Sequence, residues 1–80
     1  MVDKNLSRYL WKGLDLKRYS VVKIIPQDET NAVIIMFSND LNDPHWCLEH
    51  MGGGHYFDTA QQLIDYFESR KFKKPSGSLL

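Results

Sequence analysis

The sequence predicts an α+β domain: a small antiparallel β-meander of three to four strands, with a C-terminal amphipathic helix and a short N-terminal helix packed on it. Three observations lead there. Two β-branched runs, Ser20–Ile25 and Ala32–Phe37, are separated by the polar turn Gln27–Asn31. A glycine triplet, Gly52-Gly53-Gly54, follows a third strand-like run. A helical stripe of Ala60, Leu63, Ile64 and Phe67 comes last.

The elements follow in order. Asn5–Leu14 reads as a short helix: Asp3 or Asn5 can cap it, Leu6 and Leu10 share a face, and Gly13 suits a left-handed C-terminus. Ser20–Ile25 is a strand that ends at Pro26, which cannot donate to a ladder. Ala32–Phe37 returns to complete a hairpin. Both of its alternating sets are apolar, so it is central and covered on two faces. The C-terminal helix covers one face. The other needs the N-terminal helix, a dimer mate or a partner protein.

Ser38–Pro44 is rich in turn residues. His45–Met51 is a third strand, with Trp46 and Leu48 on one side and Cys47, Glu49 and Met51 on the other. The glycine triplet reverses the chain into a short His55–Phe57 segment. Thr59 with Gln62 forms a capping box, and Asp58 suits the positive end of the helix dipole. Residues 1–72 are read as one domain and residues 73–80 as a flexible basic tail.

Eighty residues make one domain. A chain this short buries only about 60% of the surface its unfolded form exposes, so stability is marginal. With one cysteine, Cys47, disulfides cannot add to it, and a lone thiol points to a reducing compartment. No apolar run follows the first residues, and the longest, Ala32–Phe37, is too short to span a bilayer. The expected location is the cytoplasm. Two tryptophans, four tyrosines and four phenylalanines are more rings than one small core hides, which points to a surface that meets a partner or a second copy.

Net charge is zero, yet the charges are segregated. Residues 1–25 carry six cations against Asp3 and Asp15. Residues 26–69 have no lysine or arginine and eight carboxylates. Residues 70–80 add Arg70, Lys71, Lys73 and Lys74. Basic ends thus flank an acidic middle. The carboxylates either coat the solvent face or form a negative patch that steers the domain onto a basic partner, such as a nucleic-acid-binding protein.

The chemical motifs are weak. His45, Cys47, His50 and His55 are of types that bind zinc, and a turn at Gly52-Gly53 would make His50 and His55 cross-strand partners. Their spacing lacks the two separated ligand pairs of a finger or ribbon. Polar histidines on an exposed hairpin and a buried thiol explain them more simply. Cys47 in mid-strand has no evident base, and the carboxylates have turn, cap or surface roles, so no catalytic residue is assigned and no enzyme is expected. Asn39–Asp43 lacks the glycine and terminal glutamate of a calcium loop. Gly52–Gly54 lacks the Gly-Lys-Ser/Thr ending of a phosphate loop. No cofactor is called for.

The stretch from Gly52 to Phe67 resembles the last strand and closing helix of phosphotyrosine-binding Src-homology domains. Those need an arginine in the phosphate-binding strand, and Ala32–Phe37 has none, so phosphotyrosine binding is not implied. With the hairpin before it, the same stretch also resembles the layout of some small phage-encoded anti-CRISPR inhibitors, which implies a small inhibitory binding protein. That resemblance covers about a third of the chain.

The sequence therefore leads to a non-enzymatic protein-binding module, a regulator or inhibitor of phage or mobile-element type that acts through an acidic surface. Its expected interface is Asp40, Asp43, Glu49, His50, His55 and Tyr56. Nucleic-acid association through the basic ends and a metal-binding hairpin are the alternatives, and a homodimer is compatible with each.

Overall fold

The computed structural model describes residues 6–80. Four strands, β1 (Ser20–Pro26), β2 (Ala32–Phe37), β3 (Trp46–His50) and β4 (Gly53–Phe57), precede one helix, α1 (Ala60–Ser69). The strands form a single antiparallel sheet in the order β1-β2-β3-β4, so each pairs with its neighbour in sequence. This is the expected meander, with four strands.

Alternation along the strands divides the interior into two layers. Ile25, Val33, Ile35 and Leu48 face α1 and pack with Leu63 and Phe67. Ile24, Ile34, Met36 and Cys47 face the opposite side, where Tyr9, Leu14 and Tyr19 cover them. Residues 32–36 of β2 are all buried, as its two apolar sets require. Thr59 caps α1 through the capping box read from the sequence: its side chain accepts from the Gln62 N–H, and the Gln62 side chain accepts from the Thr59 N–H.

The N-terminal segment departs from expectation. In place of a helix over 5–14, the described residues form one 3-10 turn, Ser7–Tyr9, followed by turns. The expected caps Asp3 and Asn5 lie outside the described residues. Gly13 has no left-handed φ. So short a segment gains little from helix propagation against the cost of nucleation. Its apolar residues Leu6, Tyr9, Leu10, Trp11 and Leu14 would also spread over roughly 200° of a helix surface, too wide to seat on one sheet face. Successive turns bring them to the sheet instead, and the Tyr9 hydroxyl donates to the Asp28 carbonyl at 3.1 Å.

The β3–β4 turn also differs. Its two central residues are Met51 (φ 52°) and Gly52 (φ 81°), and the positive φ at both is what a type I′ hairpin turn demands. His50 therefore pairs with Gly53, and His55 with Leu48, rather than His50 with His55. Placing a methionine in the left-handed region costs about 1 kcal/mol. In return Gly54 lies opposite Glu49, whose carboxylate reaches into the space a side chain there would take.

Residues 73–80, read as a tail, lie back against the domain. Leu79 packs on the α1-side cluster, the Lys23 ammonium donates to the Ser78 carbonyl, and Gln27 exchanges two hydrogen bonds with the Lys73 backbone. Among the described residues, no helix is long and apolar enough to cross a membrane.

Candidate interaction surface

The β2–β3 loop, residues 38–45, is tied by its own hydrogen bonds. Its polar residues turn inward on one another. Ser38 is buried and its N–H donates to the His45 carbonyl at 2.8 Å. The Ser38 hydroxyl accepts from the Asp40 N–H and donates to Asp43. Asp40 caps the turn, taking the Asn42 N–H on its carboxylate at 2.9 Å and the Asp43 N–H on its carbonyl. From outside, Arg18 clamps Asp43 at 2.8 Å while also holding Asp15 at 2.6 Å. The Tyr19 hydroxyl donates to the Pro44 carbonyl, and His45 bonds the Ser38 carbonyl while stacking on Phe37. Arg18 holds the Asp15 carboxyl below the usual carboxylate range through their hydrogen bond.

At the tip of this tied loop stands Leu41, 90% exposed. No other large apolar residue among those described is so bare; Met51 at 72% comes next. Sequence reasoning missed Leu41, because a single leucine inside Asn-Asp-Leu-Asn-Asp reads as turn filler. Its signal was its isolation: nothing local gives it a partner.

The six residues expected to form an interface fall into three places. Asp40 and Asp43 belong to the loop just described. Glu49 and Tyr56 lie on the sheet face that carries the N-terminal segment, beside Cys47 and Tyr19. His50 and His55 lie on the α1 side, where His50 meets the Phe72 ring edge-on at 4.7 Å and His55 bonds the Tyr66 hydroxyl at 3.0 Å. Burial pushes the His50 imidazole below its usual range, and Arg70 adds to the effect.

Glu49 is the chemically unusual member. It is only 7% exposed, and the Cys47 thiol at 3.7 Å is its one hydrogen-bond partner among the described residues. Burial holds its carboxyl above the normal range. Burial, with the Glu49 charge adding to it, drives the Cys47 thiol up to about 12, the reverse of what a nucleophilic cysteine needs. Burial likewise raises the Tyr19 and Tyr56 hydroxyls.

Among the described residues, no three of His, Cys, Asp or Glu converge as metal ligands. Cys47 projects to the face opposite His50 and His55, and the His45 ring is engaged by Ser38 and Phe37. Four of the eight carboxylates of the acidic middle are engaged within the fold. Asp28 is turned into its own hairpin loop, Asp43 onto Arg18, Glu49 into the interior and Asp65 onto Gln61. Asp40, beside Leu41, is the carboxylate at the loop tip. A cleft of about 370 Å³ lies between Tyr9, Trp11, Asn31 and Met51, and one of about 200 Å³ between α1 and Leu79. No family model, curated protein or solved structure matches the chain.

Proposed function

We propose that this chain is a non-enzymatic protein-binding module whose β2–β3 loop engages a partner, with Leu41 as the apolar anchor and Asp40 as the charged contact beside it. A small regulator or inhibitor fits this reading. The observation that carries it is Leu41, 90% exposed on a loop whose base is fixed by the Arg18–Asp43 ion pair and by Ser38. An apolar side chain on a preorganised loop binds without the ordering cost a mobile loop incurs. Such anchors seat in a desolvated pocket and carry a large share of an interface's energy. Asp40 at the rim selects a pocket edged by lysine or arginine. Asp43 acts through the loop's shape, since its carboxylate is taken by Arg18.

The test is affinity capture from native lysate with and without nuclease, with wild type, Leu41→Asp and Asp40→Asn (which keeps an oxygen for the Asn42 N–H but removes the charge) as baits. Loss of one specific protein with both variants, at unchanged circular dichroism and Tm, is the expected result. For an anchor worth about 2 kcal/mol or more, Leu41→Ala weakens Kd by about 30-fold. A partner retained by both variants removes the proposal. Capture abolished by nuclease would favour the basic ends instead.

A further inference from the structure

The sheet has two edges, β1 and β4, and only one is protected. β1 carries an extra residue, Val22, between the pairs Val21–Met36 and Lys23–Ile35, and it ends in Pro26. A bulge, a lysine and a proline are the ordinary means of blunting an edge. Ser78 and Lys73 also lie beside it. β4 has none of these: no proline, no charged side chain and no bulge over Gly53–Phe57. Among the described residues, no loop or cap backbone group bonds to it.

Its free hydrogen-bonding groups follow from the hairpin. A two-residue turn is closed by a hydrogen-bonded pair, here His50–Gly53, and bonded and non-bonded pairs then alternate. Gly53, His55 and Phe57 therefore bond inward to β3. Gly54 and Tyr56 point their N–H and C=O groups outward.

The strand Gly53-Gly54-His55-Tyr56-Phe57 places its small residues at one end and its rings at the other. We infer that β4 is the seam of a homodimer, two copies pairing antiparallel about a two-fold axis through His55 to join their sheets into one. In this register Gly54 of each copy forms the hydrogen-bonded pair with Tyr56 of the other, which satisfies every outward group. Each ring then meets a glycine: Tyr56 crosses to Gly54 on one face, and Phe57 to Gly53 on the other. His55 meets itself. Parallel pairing in register would set ring on ring and leave the glycines empty.

Two further observations fit this occupant. Tyr56 is 48% exposed, and the two-fold brings it over the Gly54 site of the other copy, where the Glu49 carboxylate lies with, among the described residues, a thiol as its one hydrogen-bond partner. A phenol there adds a stronger donor to the carboxylate than the thiol. Spacing also permits the helices. α1 lies over β3 and β4 alike. With strands about 4.8 Å apart, the two helix axes come to rest about 10 Å from each other, an ordinary packing distance.

The test uses the full chain. Light scattering with size exclusion is expected to give a dimer for wild type and a monomer for Tyr56→Lys, with unchanged circular dichroism. A second variant is independent of that outcome. In the proposed register position 55 faces its own mate in a non-hydrogen-bonded pair, so His55→Cys oxidises to a covalent dimer. Wild type does not, because Cys47 is buried. A wild type that is monomeric at every concentration overturns the inference, including one that captures a foreign strand at β4. So does a dimer that survives Tyr56→Lys, or one in which His55→Cys fails to cross-link.

Discussion

The carboxylate of Glu49 occupies the space in which a side chain at position 54 would begin: a Cβ built on Gly54 would lie 2.5 Å from Glu49 Oε2. Gly54→Ala must displace that carboxylate, at about 1–3 kcal/mol. Removing the obstacle first should remove most of the cost. In a double-mutant cycle followed by urea unfolding, Gly54→Ala is expected to be markedly less harmful in a Glu49→Ala background. Additive effects would show that the two positions do not compete.

The same carboxylate sets a pH dependence. Burial raises its folded pKa above the reference 4.5, so the stability associated with Glu49 is full below about pH 4.5 and is lost as pH rises through the folded value. Glu49→Gln has no such loss. Its Tm should exceed that of wild type at neutral pH and converge with it below pH 4.5. A constant difference across the range would place the effect elsewhere.

Asp28 works in the opposite sense. Hydrogen bonds from the Thr30 and Asn31 backbone and the Asn31 side chain hold it down from 3.8 to about 2. Its contribution is complete above pH 3.8 and disappears as pH falls through about 2. Asp28→Ala should lower Tm at neutral pH and flatten the acid limb of the stability profile between those values. Thermal scans of the two proteins over that range check it.

Two helix residues separate capping from core. Thr59→Ala removes the cap and is expected to cost about 1 kcal/mol. Phe67, 1% exposed beneath α1, should cost about 3–5 kcal/mol on truncation to alanine. If Phe67→Ala proved no worse than the cap variant, α1 would not be the lid of the core.

Much of this fold is legible in the sequence, because most of its signals are local. β2 shows its central position by having apolar residues in both alternating sets, and Thr59 with Gln62 marks the start of α1. The separation of Glu49 and Tyr56 from His50 and His55 follows from simple alternation. What was not legible depends on distant contacts. The glycine triplet offered more than one turn, and the register that sets Gly54 opposite Glu49 is fixed by cross-strand pairing rather than by any local signal. The residues from Leu6 to Leu14 take their shape from the sheet face they cover, which no helical pattern within them announces. Leu41 was hidden for a different reason: exposure is a property of the finished fold.

The order β1-β2-β3-β4 has a kinetic consequence. Every strand finds its mate across one short connection, so no long segment must close before pairing starts. Assembly can proceed hairpin by hairpin, which suits a polypeptide whose thermodynamic margin is thin. Stopped-flow refolding should therefore be fast for a protein built around a sheet, with a single exponential phase.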